Sequence, residues 1–468
     1  MNNNRETGSY TMPFITITTL FFMWGFLTCM NDVLIPHLKQ LFQLNYLQSM
    51  LVQFVFFGAY FIGSVVYFVI SYFKGDPINR IGYKNGMLLG LVVASIGCFL
   101  FFPAAKYAAY GLFLSALFIL GLGFTLLQIA ANPYVSLLGK PEGASSRLNL
   151  SQAFNSLGTT IAPIVGGFLI FEFFAVNGEI TAEATEIPYV IFTGIFLLLA
   201  ALLYKIKLPD FRSEDAAEKS LGALKFPQLK LGIFAIFFYV GGEVCIGSFI
   251  INFLEHKDIM GLSEAVSKNY LALYWGGAMI GRFLGAISLN QNIVGPKKAL
   301  LMVGTAIAVF LLIFAVVDLS FDQISVFLIL IGVNLIGFFI GKAAPARTLS
   351  FFAMICVALI MITIFSSGAT AMWAILGVGL FNSIMWSNIF TLSIHGLGKY
   401  TSQGSSLLVM AILGGALLPL IQGAAADAIG IQKSFFVPVI CYLYIVFFGF
   451  YCSAKLGAVQ NATVAGGH

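Results

Sequence analysis

The chain has 468 residues, 59% of them hydrophobic and 9% charged, with a mean hydropathy of +0.96. An average soluble domain is about a quarter charged, so this composition excludes a soluble globular protein. The net charge of +5 says little by itself, because in a membrane chain the placement of Lys and Arg matters more than their sum.

The charges fall in short clusters between apolar runs of about twenty residues, the length a helix needs to cross a ~30 Å hydrocarbon core. Barrel strands would be about ten residues long and would alternate in polarity. The first run, from Pro13, is longer than the apolar region of a signal peptide and has no A-x-A site after it, so it reads as a retained helix. Further runs begin near residues 47, 86, 109, 148, 187, 230, 268, 298, 323, 347, 370, 404 and 433, which gives about fourteen spans. The fold class is therefore an all-α polytopic membrane protein.

With the N-terminus in the cytoplasm, alternate connections on that side carry 18 Lys and Arg and the opposite side five. Arg282, inside the eighth span, completes the 24. This asymmetry predicts that both termini are cytoplasmic. The richest loop, Lys205 to Lys230, divides the chain near its middle. Phe21-Phe22-Met23-Trp24-Gly25 aligns with Phe237-Phe238-Tyr239-Val240-Gly241 at an offset of 216, whereas Gly121-x-Gly123 and Pro163 align with Gly377-x-Gly379 and Pro419 at 256. The jump of 40 residues equals two helices. The reading is a six-helix half (1–207), a cytoplasmic linker (208–229), a second half (230–455) containing an inserted helical hairpin at about 298–342, and a tail (456–468). Parallel halves around a midplane site are the architecture of major facilitator transporters.

Ionisable groups deep in a membrane are rare and functional by default. Asp32, Glu243 and Arg282 stand out. Trp24, Thr28, Asn31 and Asp32 share one helical face at i, i+4, i+7, i+8, where a carboxylate can accept a proton or bind sodium. Asp32 is thus a candidate ion-coupling carboxylate, for a proton or for sodium, with Asn31 beside it and Glu243 as a second. Arg282 is a structural or gating candidate that can pair with Glu243. Gln128 with Asn132, Gln152 with Asn155, and Asn382 with Trp386 lie at i, i+4 or i, i+3. Amides and an aromatic plane suit the hydroxyls and C–H face of a hexose, while the plainer reading makes them bridges between helices.

No Walker A loop, nucleophile elbow, H-E-x-x-H or catalytic triad is present, and four histidines offer little general-base chemistry. The six cysteines have no C-x-x-C spacing. No enzymatic activity, cofactor, nucleic acid or obligate protein partner is expected; the expected partners are the lipid bilayer and a small-molecule sugar.

Asn79-Arg80-Ile81-Gly82-Tyr83-Lys84 resembles the D-R-x-G-R-K signature of the major facilitator superfamily, with Asn79 and Tyr83 as departures and Arg80 as a gating or structural candidate. Asn31-Asp32-Val33-Leu34-Ile35-Pro36, Ala130-Ala131-Asn132-Pro133-Tyr134 and Gln152-Ala153-Phe154-Asn155-Ser156 resemble the bacterial fucose and glucose/galactose sugar symporter family. Within it, Gly241-Gly242-Glu243, Tyr274-Trp275-Gly276-Gly277 and Phe381-Asn382-Ser383 are similar to the glucose/galactose branch. In the proton-coupled fucose branch the position of Gln128 holds a glutamate. The resemblance therefore implies import of a neutral hexose with sodium, a proton being the alternative coupling ion, in a bacterial inner membrane. It also implies Asp32 as the coupling carboxylate and Trp24, Gln152, Asn155, Trp275 and Trp386 as sugar-site residues. A facilitative carrier is a further alternative.

Overall fold

A computed structural model describes residues 11–44, 46–167, 169, 181–211 and 222–465. All regular structure among them is helical. Fourteen long helical segments follow in order: α1 Thr11–Leu41, α2 Tyr46–Lys74, α3 Tyr83–Lys106, α4 Tyr110–Leu137, α5 Ala144–Gly167, α6 Glu186–Lys205 and α7 Pro227–Glu255. The rest are α8 Glu264–Ser288, α9 Gly295–Val316, α10 Phe321–Gly341, α11 Pro345–Phe365, α12 Gly368–Ile394, α13 Gly398–Ile429 and α14 Phe436–Ala465.

Twelve described segments are long and apolar enough to cross a membrane, and the chain is a multi-pass membrane protein. α5 and α8 have the length but are more polar, because their amide, hydroxyl and guanidinium side chains face the protein interior. Pro227, Pro296 and Pro345 stand in the first turns of α7, α9 and α11, where a missing N–H costs nothing.

The packing repeats. α1 lies on α5, α2 on α4, and α3 on α4 and α6; correspondingly α7 lies on α13, α8 on α12, and α11 on α12 and α14. The two sets meet where α5 packs against α8 and α2 against α13. Helices α9 and α10 stand outside this correspondence and pack on α8, α11 and α12. Their outward faces, with Leu300, Leu311, Ile329 and Ile336 exposed, suit contact with lipid.

Two features concern helix ends. The first helix continues past Asn31 and Asp32 to Leu41; the polar face ends the apolar run without ending the backbone hydrogen bonding. α12 is broken, its first part ending at Asn382 and its second beginning at Met385.

Candidate functional site

Between the two sets of helices lies a cavity of about 190 Å³, room for roughly six waters at ~30 Å³ each. The first half lines it with Trp24 and Thr28 from α1, Phe57 and Tyr60 from α2, Gln128 from α4, and Gln152, Asn155 and Thr159 from α5. The second half contributes Tyr239, Val240 and Glu243 from α7, Arg282 from α8, Trp386 from α12 and Ile412 from α13.

The helices are held to their spacing by specific contacts. Asn155 Nδ2 donates to the Phe21 carbonyl at 2.9 Å, and this approach requires Gly25, where a Cβ would collide with the backbone and amide of Asn155. Gln152 Nε2 reaches Asn132 Oδ1 at 3.5 Å, and Asn132 Nδ2 donates to the Gln128 carbonyl at 3.0 Å. The Tyr60 hydroxyl lies beside the Trp24, Thr28 and Gln128 side chains. Trp386 Nε1, by contrast, is buried and has no hydrogen-bond partner, an unmet donor on a cavity wall.

One corner is charged. Arg282 Nη2 lies 3.4 Å from Glu243 Oε1, and the Tyr239 hydroxyl donates to the same oxygen at 2.7 Å. The guanidinium also donates through Nη1 to Ser156 Oγ at 2.5 Å and through Nε to the Ser383 carbonyl at 3.2 Å. Arg282 therefore joins α8 to α7 and α12 in its own half and to α5 in the other. In an apolar interior a charge is tolerated when it is paired and its remaining valences are met, and the fork geometry of a guanidinium suits three acceptors at once.

The structure sorts the expected site residues by their place relative to the cavity. Trp24, Gln128, Gln152, Asn155, Trp386, Glu243 and Arg282 line one cavity. Asn132 and Asn382 are buried one layer behind: Asn382 Nδ2 donates to the Tyr274 and Tyr442 hydroxyls at 2.9 and 3.1 Å. Trp275 departs from the expectation. It is 39% exposed and does not line the cavity, because adjacent helix positions point about 100° apart and it is Tyr274 that turns inward, its hydroxyl donating to the Glu243 carbonyl. The side chains of Asn31 and Asp32 lie outside the described residues, and with them the expected sodium ligand. Arg80 is exposed on the short helix Pro77–Ile81. Tyr60, Tyr239, Ser156 and Ser383 escaped the sequence reading; only Tyr239, one turn before Glu243, carried a signal.

Toward the end where α2 and α4 finish and α5 and α13 begin, the halves are sewn together. Ser145 Oγ and Thr391 Oγ1 are 2.6 Å apart, Ser146 donates to the Ala286 carbonyl at 2.6 Å, and Asn149 Nδ2 to Asn388 Oδ1 at 3.3 Å. Asn79 Nδ2 donates to the Lys399 carbonyl at 2.6 Å, and Gln403 Nε2 to Ser71 Oγ at 3.2 Å. On the other side of the cavity Thr160 Oγ1 reaches the Met279 sulfur across the halves at 3.8 Å. The cavity is thus sealed at the basic end.

A sequence model of the Major Facilitator Superfamily matches residues 14–346. The chain belongs to that superfamily. It is 46% identical over 452 residues to a glucose/galactose transporter of Brucella abortus, with 95% of each chain covered. It is 40% identical to a putative glucose/galactose transporter of Helicobacter pylori, covering 94% of this chain and 96% of that one. Among solved structures, the Escherichia coli fucose:proton symporter FucP in the outward conformation superposes with a TM-score of 0.75 at 28% identity, covering 95% of this chain and all of FucP. The fold is that of the superfamily, and these named relatives are transporters, not enzymes.

Proposed function

We propose that the chain imports a neutral hexose of the glucose or galactose type together with a cation, by alternating access between its two halves. The observation that carries this reading is the cavity itself, which gathers four neutral hydrogen-bonding side chains of α4 and α5 and two indoles around a space of monosaccharide scale. Amides serve hydroxyls as donor and acceptor, and an indole offers a ring face to C–H groups and an N–H to one oxygen. The names of the Brucella and Helicobacter relatives support the same substrate class.

Sodium is the first choice of coupling ion, bound at Asp32 and Asn31, with Glu243 responding to the ion. Gln128 supports this choice, since it cannot titrate. A proton is supported by the fucose:proton symporters among the relatives and by the Tyr239–Glu243–Arg282 corner, where a carboxylate that took up a proton would release the guanidinium from its anionic partner. The same reading places the sealed end in the cytoplasm of a bacterial inner membrane, with halves at 1–207 and 230–455 and the linker at 208–229.

Rocking of the halves breaks the hydrogen bonds at the sealed end and opens the cavity there. The deciding experiment is uptake of labelled galactose into proteoliposomes under an inward sodium gradient and, separately, an inward proton gradient. Concentrative uptake under sodium alone supports the first choice, uptake under protons alone supports the second, and equilibration under both replaces symport with facilitated passage.

A further inference from the structure

The break in α12 leaves a helix end inside the membrane region. The last carbonyls of such an end have no intrahelical donor, and hydrocarbon supplies no water to replace one. Side chains do so here. Ser383 Oγ donates to the Leu380 carbonyl at 2.8 Å, Asn334 Nδ2 donates to the same oxygen at 3.0 Å, and Arg282 Nε donates to the Ser383 carbonyl at 3.2 Å.

Asn334 comes from α10, one of the two helices outside the repeated packing. It is fully buried, whereas Ile329, Val333 and Ile336 on the same helix are exposed. Its own Oδ1 has no partner, so the amide is held where its donor meets Leu380 although its acceptor goes unmet. Around it α10 seats on both helices that meet at the break: Phe327 lies against Gly277 of α8, and Leu330 against Gly377 of α12.

We propose that α10 is a clamp on the break in α12 and that Asn334 is its positioning residue. By fixing the Leu380 carbonyl, Asn334 sets where the second part of α12 departs, and so the placement of Trp386 on the cavity wall and of the Ser383 carbonyl under Arg282. The local claim concerns the helix break alone; its effect on affinity rests on the cavity being the sugar site.

The test is Asn334→Leu, which removes the donor while keeping the branched shape, read by hydrogen–deuterium exchange in detergent and by galactose uptake. Exchange across residues 379–388 should rise about fivefold, the scale of one lost hydrogen bond, with α1–α6 unchanged. Galactose KM should rise about fivefold with little change in maximal rate. Unchanged exchange at 379–388, or faster exchange spread over the whole second half, overturns the clamp. Should Asn334→Leu fail to accumulate, Leu330→Ala, which loosens the seat of α10 on α12 at Gly377, is judged by the same outcomes. A wild-type protein that takes up no sugar overturns the transport reading and leaves the exchange data to decide the clamp.

Discussion

Ser402 donates a 2.6 Å hydrogen bond to the buried carboxylate of Asp76, linking the start of α13 in one half to the turn after α2 in the other. The second oxygen of Asp76 accepts from the Tyr67 hydroxyl at 2.6 Å and from the Ile78 N–H at 2.9 Å, capping the helix Pro77–Ile81. The acid of this turn thus stands three residues before Asn79, the position where the superfamily signature carries it.

Asp76 should therefore bias the sealed form. Burial pushes its carboxyl above the ordinary carboxylate range, and the hydrogen bonds from Ser402, Tyr67 and two backbone N–H groups offset this only in part. A carboxyl hydrated in the open form lies nearer its ordinary value, so the sealed form binds the proton more tightly. Lowering the pH through the interval between the two values should favour sealing; above the raised value no further dependence is expected. Asp76→Asn should remove the pH dependence and keep the seal, whereas Asp76→Ala should open it. The distance between spin labels at the exposed positions Arg80 and His395 reports the outcome, and equal behaviour of the two variants contradicts the assignment.

Glu243→Gln should leave Arg282 without its anionic partner, a loss of about 3 kcal/mol for a buried pair, visible in thermal unfolding. Adding Arg282→Met should recover much of that stability without restoring gradient-driven accumulation. If sodium is held at Asp32, Asp32→Asn should abolish accumulation more completely than sugar binding. Continued concentration of sugar by Asp32→Asn rules out its coupling role.

Trp386→Phe keeps an aromatic ring on the cavity wall and deletes the indole N–H that has no partner there. Galactose KM should increase about fivefold for one lost hydrogen bond, with the maximal rate preserved. Trp275→Phe, outside the cavity, should leave KM where it is. A reversed result would place the sugar on the other face of α8.

Gly25→Ala should destabilise the first half by about 1–3 kcal/mol through overpacking, because its Cβ meets Asn155 across the α1–α5 contact. Gly58→Ala, with no atom within 4 Å of its Cβ, should be neutral in the same unfolding measurement.

Much of the fold was legible because membrane crossing imposes a length on each apolar run; the helices begin within a few residues of the expected positions. The Glu243–Arg282 pair was legible for the opposite reason, since two charges in apolar helices stand out. Ser156 and Ser383, which complete the coordination of Arg282, did not, because hydroxyls are common in such helices and cost little alone. Choosing between Tyr274 and Trp275 required the rotation of α8, which small residues on several sides leave undetermined. Likewise Asn132 and Asn382 have the right chemistry for a cavity and lie one layer behind it, a difference of depth that spacing along a helix does not encode.

The polarity of α5 reaches into the making of the protein. Ser145, Ser146, Asn149, Gln152 and Ser156 find partners partly in α8 and α12, which emerge from the ribosome only after the first half is complete. Lipid is a poor host for such a row of hydroxyls and amides, so the newborn first half is an unfinished object that waits for its later twin. The two halves are partners in biogenesis before they are partners in transport.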